Sequence, residues 1–156
     1  DDGVGHEVDM SVGYFADLTD RWAIDLALIR YMFPGAASGV NYNYNELMTT
    51  AWLDETHSAA IAYSPNVDGT GKRGIFYKLG TGAELAADLN LDLELGHYDL
   101  REAYGASYSY VQAALRKSID SWSIEVTYAN AFGGADEIYY RQATGSRLVF
   151  SLLYQL

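Results

Sequence analysis

Ten ionisable side chains fall at spacings that an extended chain would place on one side. They are Glu7, Asp9, Asp25, Lys78, Glu84, Asp92, Glu94, Arg116, Glu125 and Arg147. Acidic groups facing basic ones across a water-filled space set a transverse field that biases which ions pass. The acidic excess predicts a mild preference for cations. The competing reading gives the same residues no selectivity role, as the solvated and locally paired interior of a filled barrel. Both readings stand on sequence grounds.

Three histidines raise a hydrolytic alternative. His57 and Ser58 are adjacent, and a strand throws adjacent residues to opposite faces, which is poor geometry for a nucleophile and its base. His97 follows a run of leucines near Ser107 and Ser109, and a lipid-modifying Ser/His site there is the weaker reading because no nucleophile motif accompanies it. Residues 66–71, Asn-Val-Asp-Gly-Thr-Gly, offer oxygen ligands without the twelve-residue spacing or closing Glu of an EF-hand, so a tight turn is expected. Residues 133–137 read as an acidic loop, and no glycine-rich motif joins a strand to a helix. No catalytic residue, metal site or cofactor is assigned.

The elements that position these groups are written in twos. Leu89, Leu91, Leu93 and Leu95 alternate with Asn90, Asp92, Glu94 and Gly96, and Leu148, Phe150, Leu152, Tyr154 and Leu156 repeat the pattern. Period two describes a strand with one apolar and one polar face. Nine such strands are predicted, over residues 6–18, 22–33, 44–53, 59–64, 74–85, 89–98, 108–119, 122–131 and 147–156, with the outward face of 44–53 ambiguous. The links alternate short and long: short near residues 19–20, 55–56, 86–88 and 120–121, long over 34–43, 65–73, 99–107 and 132–146. Short turns on one side and long loops on the other mark an up-and-down transmembrane β-barrel.

Aromatic residues are expected to form two interfacial belts. Trp22, Trp52, Trp122, Tyr14 and Tyr154 would form the belt at the short-turn end. Tyr31, Phe33, Tyr44, Tyr63, Phe76, Tyr98, Tyr108 and Phe132 would form the one at the long-link end. Both the first and last strands run from the long-link side to the short-turn side. Bacterial barrels generally have an even strand count with both ends in the periplasm, so nine strands are expected to be an incomplete set.

Composition agrees. The 156 residues predict a single domain, residues 1–156. No apolar run is long enough for a spanning helix, and 14 Tyr, 15 Gly and only 2 Pro favour sheet. No cysteine is present, which removes disulfides and thiolate chemistry, and a net charge of −11 argues against nucleic acid as a partner. The acidic start at Asp1-Asp2 lacks the basic region of a signal peptide.

Residues 31–35, Tyr-Met-Phe-Pro-Gly, followed by Asn43-Tyr44-Asn45-Glu46 and by Ala62-Tyr63-Ser64-Pro65, resemble steps of the Gcw_chp family of outer-membrane porins, of TorF type. Residues 7–9, Glu-Val-Asp, with Gly13-Tyr14, and the later Leu95-Gly96-His97-Tyr98 extend the resemblance over nearly the whole chain. Phe33 stands where the family usually has Tyr, and Leu156 where a terminal Phe is common. The resemblance implies a closed barrel of about twelve strands, roughly three of them preceding those seen here, an even total as bacterial barrels have.

The function expected is passive diffusion of small polar solutes or ions through the outer membrane of a Gram-negative bacterium. The alternative is a filled structural barrel that docks a partner through its loops or open edge. A soluble barrel of lipocalin type would leave the belts and loop asymmetry unexplained. Expected partners are outer-membrane lipid, the barrel-assembly machinery reading the last strand, and further copies or a larger membrane assembly.

Overall fold

The computed structural model describes residues 6–36, 39, 41–139 and 144–154. Asp1, Asp2 and Leu156 lie outside the described residues. Alternation along the chain becomes nine strands: β1 (Val8–Asp17), β2 (Trp22–Met32), β3 (Tyr44–Leu53), β4 (His57–Ser64), β5 (Gly74–Ala86), β6 (Leu89–Asp99), β7 (Ser107–Ile119), β8 (Trp122–Gly133) and β9 (Gly145–Tyr154). Each pairs antiparallel with its neighbours in sequence, in the order β1 to β9. All nine expected strands are present, with β4 and β9 each beginning two residues earlier than the pattern alone suggested.

Register carries the period of two across the whole sheet. One row of partners runs Asp25, Thr50, Ala60, Lys78, Gly96, Tyr110, Ala131 and Gly145, all on one face. A row on the other face runs Val12, Leu28, Leu47, Tyr63 and Ile75. The ambiguity of β3 is resolved here: its pairing with β2 puts Leu47 and Leu53 on the apolar face and Glu46, Met48, Thr50 and Trp52 on the polar one.

The two faces are inverted relative to a soluble sheet. On the apolar face Val12, Leu28, Leu79, Leu95, Phe150 and Leu152 are all exposed, Phe150 to 72%. The buried strand residues Glu46, Thr50, Ala60, Ala62, Ser64 and Ala114 all lie on the polar face. The sheet curls toward that face, so its side chains shield one another.

The nine strands, expected to be an incomplete set, form an open sheet that is not closed into a barrel. β1 and β9 each pair with a single strand among the described residues. The reason is parity: an odd number of up-and-down strands leaves first and last running the same way, so an antiparallel ladder cannot join them.

Short turns gather at one end: residues 18–21, 54–56, 87–88 and 120–121. Asp54, Glu55, Asp88 and Asp120 supply left-handed backbone there, at φ of 51 to 60°, a conformation that Asp tolerates better than most residues. Two of these turns are tied together by Arg21, whose Nε and Nη2 donate to the Asp54 carboxylate at 2.7 and 2.6 Å. That fork holds Asp54 below the usual carboxylate range. At the other end the long links carry a 3₁₀ turn (Val67–Gly69) and two one-turn helices, α1 (Arg101–Tyr104) and α2 (Ala135–Ile138). Three of these links interlock. Val67 and Leu100, each 1% exposed, meet Tyr98 over Gly74, where a Cβ would contact all three. Tyr104 donates to Asp68 at 2.6 Å, Arg73 pairs with Glu102 at 2.7 Å, and Gly69 lies against the Asn41 backbone.

Leu100→Ala is expected to cost about 2–5 kcal/mol, the range for emptying a buried leucine site, read as a lower urea midpoint. Arg21→Gln is expected to return the Asp54 titration upward to the ordinary carboxylate range, followed by NMR of its carboxyl carbon. The stability that Arg21 confers is present above that range and is lost as pH falls through the folded-state value.

Candidate functional site

Nine of the ten ionisable candidates stand on strands, and all nine share the polar face: Asp9, Asp25, Lys78, Glu84, Asp92, Glu94, Arg116, Glu125 and Arg147. Glu7 precedes β1 and hydrogen-bonds Asp9. They do not form one ring. Lys78 pairs with Glu94 at 3.2 Å, and Arg116 forks onto Glu125 through Nε and Nη2 at 2.9 and 2.7 Å. Glu125 also accepts from Thr127. Asp25, Glu84 and Asp92 have no ion-pair or hydrogen-bond partner among the described residues. The surplus of negative charge is thus concentrated on the half of the face nearer the short turns.

The half nearer the long links is aromatic. Tyr31 stacks on Tyr44 with centroids 4.5 Å apart. Phe76 meets Tyr98 edge-on at 5.7 Å and stacks on Tyr110 at 6.2 Å, and Tyr98, Tyr108 and Tyr139 continue the series. Phe76 and Tyr110 reach each other across β6 because Gly96 lies between them. A Cβ at Gly96 would run into the Tyr110 ring, so the ring lies over the bare backbone and its hydroxyl donates to Glu94 at 2.5 Å. Inside this layer sits Glu46, 8% exposed, accepting from Tyr31 at 3.4 Å and from Tyr98. Tyr98 is three strands away from Glu46, and only a curled sheet brings them together.

Glu46 and Tyr110 were not among the expected site residues. Glu46 was visible as part of the Asn43–Glu46 step, but its face was undecidable until β3 was paired. Tyr110 shows itself only through the glycine opposite it.

The expected belts divide by register. Tyr14, Trp22, Trp122 and Tyr154 are on the apolar face, with Trp122 against Tyr154 at 4.7 Å. Tyr63 and Phe132 are there too. Tyr31, Tyr44, Phe76, Tyr98, Tyr108 and Trp52, assigned to the belts by position along the strand, are on the polar face. Height along a strand and face are independent, and parity decides the second. Phe33 follows β2 and packs its edge on Tyr42.

A family model matches residues 2–151, that of Gcw_chp, a bacterial protein of unknown function. The chain belongs to this family. No curated protein matches it significantly. The family description assigns no activity, so chemistry has to be argued from the residues. The steps that first suggested the family converge in space: Tyr31, Tyr44, Glu46, Gly96 and Tyr98 all belong to the aromatic layer.

His57 and Ser58 occupy opposite faces, as alternation requires. His97 Nδ1 pairs with Ser109 Oγ at 2.9 Å, and His57 Nδ1 with Thr81 Oγ1 at 2.7 Å, both cross-strand on the apolar face. No carboxylate among the described residues orients either ring, and two equivalent pairs at opposite ends suit hydroxyl capping of exposed imidazoles. Residues 66–71 form the turn expected of them, built on the 3₁₀ turn with Thr70 Oγ1 donating to the Val67 carbonyl at 2.7 Å.

Gly96→Ala is expected to displace the Tyr110 ring and break its bond to Glu94. Overpacking of this kind costs about 1–3 kcal/mol, measured as a shift in the denaturant midpoint. An unchanged midpoint would mean that the ring has room to spare.

Proposed function

We propose that the nine strands belong to a closed barrel in the bacterial outer membrane that passes small polar solutes and ions by diffusion, with a mild preference for cations. One observation carries this reading: most of the large exposed apolar side chains of the strands gather on one face of the sheet, and the ionisable candidates on strands on the other. A soluble protein keeps contiguous exposed apolar patches to a few hundred square ångströms, whereas a barrel in lipid needs an apolar band all the way round. Short turns at one end, long links at the other, and Trp22, Trp122 and Tyr154 on the apolar face beside the short turns add to it. Closure with antiparallel ladders throughout takes an odd number of further strands. The resemblance to TorF-type porins implies about three, for an even total. Lipid and the assembly machinery that inserts such barrels are the partners this implies, and lateral association into a homo-oligomer is compatible with it.

A second reading, a filled structural barrel, is favoured by the aromatic layer and by the two internal salt bridges, Lys78–Glu94 and Arg116–Glu125. Conductance of the full-length folded protein in planar bilayers separates the two. Discrete ion-conducting steps support the pore, and a persistently closed protein removes it.

Leu93→Arg, on the apolar face midway along β6, is expected to destabilise the folded protein by about 2–4 kcal/mol if that face meets lipid. A change near zero in urea unfolding from bilayers would contradict lipid contact. Asp92→Asn with Glu94→Gln is expected to lower the cation preference, read as a shift of the reversal potential in a salt gradient. An unmoved potential would end the electrostatic part of the proposal.

A further inference from the structure

One of the hollows on the polar face has walls and a floor that differ in kind. It occupies about 260 Å³ on the short-turn side of the aromatic layer and is lined by Trp52, Ser58, Lys78, Asp92, Glu94 and Gln112. Five of its residues form a single cross-strand row: Trp52 on β3, Ser58 on β4, Gly80 on β5, Glu94 on β6 and Gln112 on β7. The middle of this row is nearly bare. A Cβ on Gly80 would meet Ser58 Oγ at 2.6 Å, and one on Gly82 would meet Asp92 Oδ1 at 2.8 Å. Only short polar groups lie over these two glycines, which keeps the floor low between β3 and β6.

We propose that this hollow binds a single neutral sugar ring, edged by Trp52 and hydrogen-bonded by Asp92, Glu94, Lys78, Gln112 and Ser58. A hexose offers an apolar face of C–H groups and a rim of hydroxyls that both donate and accept. Trp52 supplies an apolar aromatic wall. Opposite it stand acceptors (Asp92, Glu94, and the Gln112 carbonyl) and donors (Lys78, Ser58, and the Gln112 amide). Lys78 pairs with Glu94 at 3.2 Å, and Asp92 and Glu55 are the other carboxylates on the lining. Asp92, without a hydrogen-bond or ion-pair partner among the described residues, is placed to take a hydroxyl pair. The volume falls below the roughly 300–1,000 Å³ of drug-sized pockets, on the scale of one ring.

The inference deepens the diffusion reading by naming the solute class, and rests on that reading only for how the sugar arrives. Saturation-transfer NMR of glucose with the full-length protein folded in detergent micelles tests it without requiring conductance. Signals on the ring C–H groups are expected for the wild type, for Trp52→Phe and for Trp122→Ala, which alters the apolar face. Trp52→Ala and Asp92→Asn are expected to weaken binding by about tenfold or more. Gly82→Leu is expected to abolish it by filling the floor and pushing the Asp92 carboxylate aside. Absent glucose signals in the wild type, equal signals in Trp52→Ala, or choline bound in preference to glucose would overturn the proposal. A glucose signal from a protein that never conducts would keep the hollow and remove the pore.

Discussion

Everything in this molecule depends on the cross-strand register. A β-ladder fixes which residues face each other, and because side chains alternate, one residue of slip would exchange the two faces completely. Eight consecutive ladders hold the phase, with one irregularity between Glu84 and Ala86 close to a short turn. That single constraint places the leucines of β6 beside Val111 and Leu115 on one side, and Asp92 and Glu94 beside Ala114 and Gln112 on the other. Electrostatics, aromatic stacking and the hollow all follow from it.

On the polar face, volume is exchanged between strands. Where β5 and β6 carry glycine, a neighbouring side chain occupies the space: Tyr110 over Gly96, Asp92 toward Gly82, Ser58 toward Gly80. The exchange has two outcomes. At Gly96 a ring enters and the layer closes with Phe76 and Glu46 around it. At Gly80 and Gly82 only short polar groups enter, and the floor stays open. The same residue type therefore serves filling at one level and vacancy at the next, depending on what the opposite strand presents.

Much of this was legible in the residues themselves. Alternation located nine strands, link lengths separated two ends, and parity marked the set as odd. The ionisable candidates on strands fell on one face because charged residues interrupt an apolar series only on the other side of the pleat. What could not be read was contact between strands. β3 carries Leu47, Met48, Trp52 and Leu53 on both faces, so its own pattern has no preferred phase, and β2 had to supply it. The upper aromatic residues divide between the faces for a related reason: position along a strand gives height, and Tyr31, Tyr98 and Tyr108 share their height with Tyr63 but not their face. Glu46 becomes a site residue only once curling brings β3 near β6, and Tyr110 only once Gly96 is seen to lie opposite it.

The two ends of the polar face also differ in what can pass them. At the long-link end Val67 and Leu100 pack above the Tyr98 ring, tied by Tyr104 to Asp68 and Arg73 to Glu102. Below them the aromatic layer gathers around the buried Glu46, with each ring held by a neighbour or a hydroxyl bond. At the short-turn end the turns span two to four residues, too few to fold back over the sheet. Among the described residues the hollow is therefore covered on the long-link side and uncovered on the short-turn side. A solute meets open charge and an indole wall from the short-turn side, and a packed apolar cap from the other. In a closed barrel of the proposed orientation the accessible side is the periplasm. Movement across the layer would then require the Phe76, Tyr98 and Tyr110 rings to shift together, since each is stacked on or edged against another. In such a barrel, resistance to flow would be concentrated in that layer, while discrimination between solutes would belong to the charged half beneath it.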